Sequence, residues 1–162
     1  MCDVRFTVPG AKWTPALSRR GLNAEDALAW LLPRLVGLAR ATDLLLSSRI
    51  VLGAEAVRLG LATELAEPET LVDAAVAYAT DLARNCSPVS LALVKRQLLL
   101  DAESTLEQSR VRSIAPLAEA KRFSDYREGV VSYLEKRPPA FQPLPAELQV
   151  PLPGPDPIRR KA

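Results

Sequence analysis

Histidine is absent from the 162 residues. That removes a Ser-His-Asp triad, a histidine general base and a histidine-held metal from what this chain can do. The two cysteines, Cys2 and Cys86, are far apart and have no metal-ligand spacing around them. Cys86 falls at the end of a helical apolar stripe and reads as a buried core thiol. Carboxylates, hydroxyls and amines are left. Glu25 and Asp26 stand out by position, directly after Asn23 and before the apolar series Ala27, Leu28, Leu31, Leu32 and Leu35. With Asn23 as an N-cap, both acids sit in the first turn of a helix and complement its positive end.

The composition sets the frame around them. A 48% hydrophobic, 25% charged chain of this length can bury one core. Net charge is +2, and Lys and Arg gather on no segment, so a nucleic-acid track is excluded. Met1-Cys2-Asp3-Val4-Arg5 has no apolar stretch of the signal-peptide kind. No apolar run reaches the roughly 18 residues of a membrane span. The expected location is the cytoplasm, with no membrane partner.

The elements that position these groups follow from periodicity and punctuation. Val4–Val8 alternates as a strand, Pro9-Gly10 makes a turn, and residues 11–14 form a second short strand. The helix capped by Asn23 is kinked or restarted by Pro33 and ended by Gly37. A helix over 38–47, an extended stretch at 50–52, and a two-turn helix over 53–59 closed by Gly60 come next, followed by an extended segment at 61–65. Pro68 suits the first position of another helix, with an apolar seam at Val72, Ala75, Val76, Ala79, Leu82 and Ala83. Ser87-Pro88 is an N-cap and N1 pair. Ser104-x-x-Glu107 has the capping-box form and opens a long helix through Ile114 and Leu117. Asp125-x-x-Glu128 resembles the same device and opens a last helix to about Lys136. The C-terminal half is thus read as four successive helices. From Pro138 the composition shifts, with eight of the 14 prolines in residues 138–162. That segment reads as a disordered tail.

One ordered set of residues is more specific than any of these elements. It runs Leu32-Pro33-Arg34-Leu35-Val36-Gly37, Ala41, Leu44-Leu45-Leu46-Ser47-Ser48-Arg49, Glu55-Ala56, Gly60-Leu61. Ser87-Pro88 with Lys95, Asp125-x-x-Glu128-Gly129 and Glu135-Lys136-Arg137 continue it at compatible spacings. Together they resemble the crotonase superfamily, the enoyl-CoA hydratase/isomerase family, over residues 1 to about 141. The resemblance implies a helix-rich α/β fold. Residues 1–66 would be the C-terminal part of the family's ββα spiral core, and 67–137 an α-helical CoA-binding and oligomerisation region. The implied assembly is a homotrimer or a dimer of trimers.

The same resemblance implies the chemistry. The family polarises an acyl-CoA thioester carbonyl with two backbone N–H groups, and a carboxylate moves a proton or activates water. Both N–H donors would lie before Met1, so this chain taken alone is expected to be truncated, incomplete and inactive. Leu17 stands where hydratases carry their second carboxylate, and leucine transfers no proton. Some members with other chemistry carry an acid at the helix start, which makes Glu25 a candidate general base or acid; a simple first-turn acid is the competing reading. Tyr133 and Lys136 fall where members place an aromatic and a lysine near the adenine and 3′-phosphate of CoA, often that of a neighbouring subunit. A half-buried tyrosine and a cation at a helix C-terminus account for the same residues. Arg19 and Arg20 are either phosphate contacts or exposed loop charges. No metal and no cofactor are implied, coenzyme A being part of the substrate. The alternative to an acyl-CoA hydratase or isomerase is a non-catalytic fragment that binds or assembles with intact subunits.

Overall fold

A computed structural model of the chain describes residues 3–144. Cys2 and residues 145–162, most of the proline-rich segment, lie outside the described residues. The chain forms two compact units that divide between Ala77 and Tyr78.

The first unit contains β1 (Phe6–Thr7), β2 (Lys12–Trp13), a 3-10 turn at Ser18–Arg20, α1 (Leu28–Val36), α2 (Leu38–Ser47), β3 (Val51–Leu52), α3 (Gly53–Leu59) and β4 (Glu64–Leu65). The strands fall inside the expected stretches, but Pro9-Gly10 joins no hairpin. β1 pairs in parallel with β4, Phe6 opposite Glu64, whereas β2 pairs antiparallel with β3, Trp13 opposite Val51. The turn therefore passes the chain from one two-stranded sheet to the other. It comes so close to α3 that a side chain at Gly53 would put its Cβ 1.9 Å from the Val8 carbonyl oxygen.

Leu32 and Val36 of α1, Ala41 and Leu44 of α2, Val51, Ala56 and Ala62 form the buried core of this unit. The i, i+4 and i, i+3 spacings put each helix's pair on one face. Pro33 does not restart α1, which runs unbroken to Val36; Gly37, at φ +81, ends it as expected. Gly60, at φ +85, closes α3 with its N–H on Val57 O, a left-handed position that favours glycine. Arg49 bridges Asp43 at 2.9 Å and Glu55 at 2.8 Å, tying the end of α2 to α3. The hydrogen bond from Arg49 holds the Glu55 carboxyl below the usual carboxylate range. These residues of the ordered set are thus braces and terminators.

The start of α1 differs from expectation. Asn23 caps nothing, and no acid lies in the first turn of the helix, which begins at Leu28. Asp26 and Ala27 occupy left-handed backbone at φ +51 and +57, which a right-handed helix cannot include. Glu25 instead opens a turn, its carbonyl accepting from Leu28 N at 2.9 Å.

Helix α4 (Leu71–Asn85) spans the division between the units. Pro68 lies three residues before it rather than at its first position. The expected seam has helical spacing but is not a buried face: no residue of α4 is buried, and Val72 and Val76 are exposed. Cys86, just after the helix, is half-buried rather than a core thiol.

The second unit continues with α5 (Pro88–Asp101), α6 (Leu106–Arg112), α7 (Ile114–Ala120) and α8 (Ser124–Glu135). Ser87 caps α5 as the sequence predicts, accepting from Ser90 N at 3.2 Å. The capping box of α6 is shifted by one residue: Thr105 accepts from Gln108 N, and Gln108 reaches back to Thr105 N. Ser104 is unavailable because its hydroxyl donates to Leu100 O and accepts from Arg112. The expected long helix is two helices broken at Ser113. Pro116 has no backbone N–H to offer the Arg112 carbonyl four residues earlier. Phe123, not Asp125, is the N-cap of α8. Val89 and Leu93 form the apolar centre of this unit. No helix among the described residues is long and apolar enough to cross a membrane.

Candidate functional site

In the first unit, the segment between β2 and α1 carries the sequence-predicted residues, and α2 anchors it. Ser18 Oγ donates to Leu46 O at 2.9 Å and lies 2.6 Å from Ser48 Oγ. Thr14 Oγ1 donates to Ser48 O at 3.0 Å, and Arg19 Nε to Ser47 O at 2.9 Å. Carbonyls that α2 leaves unpaired at its C-terminus are thus satisfied by this segment. Arg19 is committed to that end, where a cation also complements the helix dipole. Arg20 is exposed.

Leu17 is half-buried at the bend, its carbonyl accepting from Arg20 N and Leu22 N. Ala16 before it is left-handed at φ +53. With Asp26 and Ala27, three non-glycine residues of this segment hold backbone that side chains disfavour, a pattern that concentrates where geometry serves function.

Beside the segment lies an apolar cavity of about 270 Å³. Trp13, Thr14 and Pro15 line one side; Leu28, Leu32 and Leu35 of α1 line another. Trp13 is oriented by its Nε1–H, which donates to Thr7 Oγ1 at 3.1 Å. Glu25 is exposed, and the turn it opens delivers Leu28 directly into the cavity wall. The arrangement is an apolar slot with a solvent-accessible carboxylate three residues from its lining. Such a slot suits a small hydrophobic group, and such a carboxylate is of the type that transfers protons. Periodicity had marked Leu28, Leu32 and Leu35 as core; their facing a cavity was not legible from spacing.

Tyr133 and Lys136 belong to the second unit, so Glu25 and this pair are described separately. Both lie at the C-terminus of α8, with Lys136 N donating to Tyr133 O at 3.3 Å and Arg137 N to Ser132 O at 3.1 Å. Those two bonds are the Schellman pattern, with Lys136 as its left-handed residue at φ +55. Tyr133 is 82% exposed, which overturns the half-buried alternative and leaves its ring face open.

Sequence reasoning missed what surrounds them. Arg137 Nη1 and Nη2 donate to the two Glu128 oxygens at 2.6 and 2.9 Å, and Nε donates to Glu135 at 2.6 Å. Ala140 N adds a bond to Glu128 at 2.8 Å. The Arg137 guanidinium, and then the Ala140 N–H, hold the Glu128 carboxyl down at about 2. Nearby, Asp125 is buried and accepts from Ser87 Oγ at 2.6 Å and from Gln142 N at 3.2 Å. Residues 137–142 thereby form a strap against α8, with the Phe141 ring 3.7 Å from where a side chain at Gly129 would begin. The available signal was the order Asp125, Glu128, Arg137 itself, opposite charges on either side of a helix end.

The chain matches the family model described as enoyl-CoA hydratase/isomerase over residues 1–143. It is 34% identical over 145 residues to a 1,2-epoxyphenylacetyl-CoA isomerase of Escherichia coli, covering 86% of this chain and 53% of that protein. It is 31% identical to an (E)-benzylidenesuccinyl-CoA hydratase of Thauera aromatica, covering 87% of this chain and 55% of that one. Among solved structures, a probable enoyl-CoA hydratase/isomerase from Mycobacterium abscessus superposes with a TM-score of 0.82 at 29% identity, covering 88% of this chain and 56% of that one. An enoyl-CoA hydratase/isomerase from Cupriavidus metallidurans gives 0.80 at 34%, covering 89% and 54%. The chain spans about half the length of the curated relatives it matches.

Proposed function

The chain belongs to the enoyl-CoA hydratase/isomerase family, and from that premise we propose that it serves an acyl-CoA thioester reaction that moves a proton rather than adds water. The thioester carbonyl becomes enolate-like and is stabilised by backbone N–H donors. Glu25 takes a proton from the carbon beside the carbonyl and returns it two carbons along, so a double bond shifts and no atom is gained or lost. The cavity lined by Trp13 and Leu28 holds part of the acyl group. No metal or other cofactor takes part in this reading; coenzyme A enters as part of the substrate.

The observation that carries the proposal is an apolar slot walled by Leu28, which exposed Glu25 precedes by one turn, while Leu17 occupies the bend where the family resemblance would put a hydratase's second carboxylate. Likeness to an isomerase of a CoA thioester agrees with it. Tyr133 and Lys136 take the adenine and 3′-phosphate of a neighbouring subunit's CoA, the ring by stacking and the ammonium as a point charge. Copies of the chain associate as trimers, or dimers of trimers, through exposed apolar residues such as Leu98 and Leu134; a monomer by light scattering would remove that part.

The test is exchange of substrate hydrogen with deuterated solvent, followed by mass spectrometry on enoyl-CoA thioesters. A form of the chain extended to the length of its relatives, and so carrying the two N–H donors, should exchange, and the same form with Glu25→Gln should not, while its affinity for the thioester changes little. Exchange retained in Glu25→Gln excludes that residue. Thioester binding with no exchange even in the extended form favours the second reading, a non-catalytic family member that binds or assembles with intact subunits; the half-length coverage of its relatives is what keeps that reading in view.

A further inference from the structure

We infer that Glu128 and Arg137 are positioning residues for Lys136, fixing the end of α8 so that the lysine presents its ammonium to the 3′-phosphate of a CoA ligand. The inference rests on the reading of Lys136 as a phosphate ligand and goes beyond it by naming what holds the lysine there.

Three charged residues stand together at this helix end, Glu135, Lys136 and Arg137, and they are used very differently. Arg137 donates to Glu128 through two nitrogens, to Glu135 through a third, and to Pro138 O at 3.1 Å. Both charged neighbours of Lys136 are thereby paired. Among the described residues the Lys136 ammonium has no ion pair, and its side chain is exposed. The division follows the chemistry of the two cations. A guanidinium fork matches a carboxylate with two parallel bonds, whereas an ammonium is a compact charge suited to a phosphate.

The backbone geometry gives the pairing a purpose. Lys136 occupies φ +55 and ψ +40, a conformation sparsely populated by residues with a side chain and kept only where the surroundings over-determine it. One Schellman bond holds the Lys136 N–H and the other the Arg137 N–H that follows it. Glu128 adds to the second side, because this one carboxylate receives the Arg137 guanidinium next to the lysine and Ala140 N four residues beyond it. Without the clamp, residues 137–140 keep, among the described residues, only the Arg137 N bond to Ser132 O and the Gln142 N bond to Asp125 beyond them, and the lysine is presented from a less tightly held end. A freely moving backbone loses conformational entropy when its lysine meets a phosphate, a loss that a fixed backbone has already taken.

The experiment compares the Kd of coenzyme A with that of 3′-dephospho-coenzyme A by calorimetry on the full chain, alongside a thermal melt. Wild-type protein should prefer coenzyme A about tenfold, the worth of one hydrogen bond to a charged group. Lys136→Ala should bring the two Kd values together. Glu128→Gln, which keeps an oxygen for Ala140 N but loses the charged pair, should cut the preference to about threefold, and leave the dephospho ligand's Kd unchanged. A purely structural role would weaken both ligands alike and leave their ratio intact. Arg137→Lys keeps the charge and loses the fork, so it reports the same ratio should Glu128→Gln unfold. Loss of preference in Lys136→Ala with full preference in both clamp variants would overturn the positioning role and leave the lysine reading standing. An unchanged preference in Lys136→Ala, or none in the wild type, would overturn the lysine reading and the positioning role with it.

Discussion

The first unit and the second solve the same problem with different materials. Among the described residues, the first gathers seven buried apolar side chains into one cluster, from Leu32 to Ala62, whereas the second gathers two, Val89 and Leu93. Yet α5 and α8 of the second, at 14 and 12 residues, are longer than either α1 or α2. Their apolar residues are largely exposed, Leu98 at 69% and Leu134 at 72%. Polar ties between distant positions hold that unit instead: Ser87 to Asp125, Asp101 to Arg112, Glu128 to Arg137. Apolar burial is non-directional and depends on area. A polar tie is directional, and when one partner is removed the other is left wanting. The two units should therefore respond to different mutations.

The largest effect expected from this contrast is at Leu44. It is 2% exposed within the first unit's cluster, and Leu44→Ala leaves a cavity there at a cost of about 3 kcal/mol. Leu98→Ala, the same change on α5, should alter folding stability by less than about 0.5 kcal/mol in dilute protein. Urea unfolding of both variants measures the difference. Equal losses in protein diluted to the monomer would mean that Leu98 is covered within the chain itself, and the contrast between the units would fail.

How far each unit was legible in the sequence follows the same division. The 3.6-residue spacing of Leu28, Leu32 and Leu35, with Gly37 and Gly60 as stops, located α1 through α3 because the features that make those helices are local. Ser87-Pro88 located α5 for the same reason. The start of α1 is misplaced because left-handed Asp26 and Ala27 interrupt the pattern; the misplaced caps of the second unit lie where a side chain has two possible uses and a distant partner decides. Ser104 and Thr105 offer overlapping capping boxes in adjacent frames; Arg112 takes the Ser104 hydroxyl, and Thr105 is left to cap. Asp125 looks like a cap until Ser87, 38 residues earlier, and Gln142, 17 later, claim its carboxylate. Of the candidate site, the identities of Glu25, Tyr133 and Lys136 were readable through a family resemblance. The slot beside Glu25 was not, since spacing marks an apolar face without saying whether it meets side chains or a cavity. Nor was the clamp beside Lys136, whose partners lie nine residues apart on opposite sides of a helix end.

A smaller effect sharpens the account of the second unit. Ser87 both caps α5 and donates to buried Asp125. Ser87→Ala removes the cap and takes one of two described bonds from a buried carboxylate, so about 1 to 2 kcal/mol should be lost. Ser87→Asn, which keeps the capping oxygen, should recover part of that. Protection of the α5 amides in hydrogen exchange reads the two contributions apart, because a lost cap frays the first turn while a lost tie loosens α8 as well. Unchanged protection in α8 would reduce Ser87 to a cap alone.

The smallest effect is the most specific, because it depends on pH. The Glu128 carboxyl is held at about 2 in the folded chain against an ordinary value of 4.5, first by the Arg137 guanidinium and then by the Ala140 N–H. A group whose folded value is depressed favours the folded state above its unfolded value. That contribution is complete above pH 4.5, and it fades as the pH falls from 4.5 toward 2. Arg137 stays charged throughout. The melting temperature of wild type should therefore exceed that of Glu128→Gln by a small margin at pH 6, and the margin should close on acidification. Added salt should narrow it too, since the pair lies near solvent. No margin between the two at pH 6 would mean that the strap is held by Phe141 and the Gln142 amide rather than by charge. The second unit would then resemble the first more closely than its hydrogen bonds suggest.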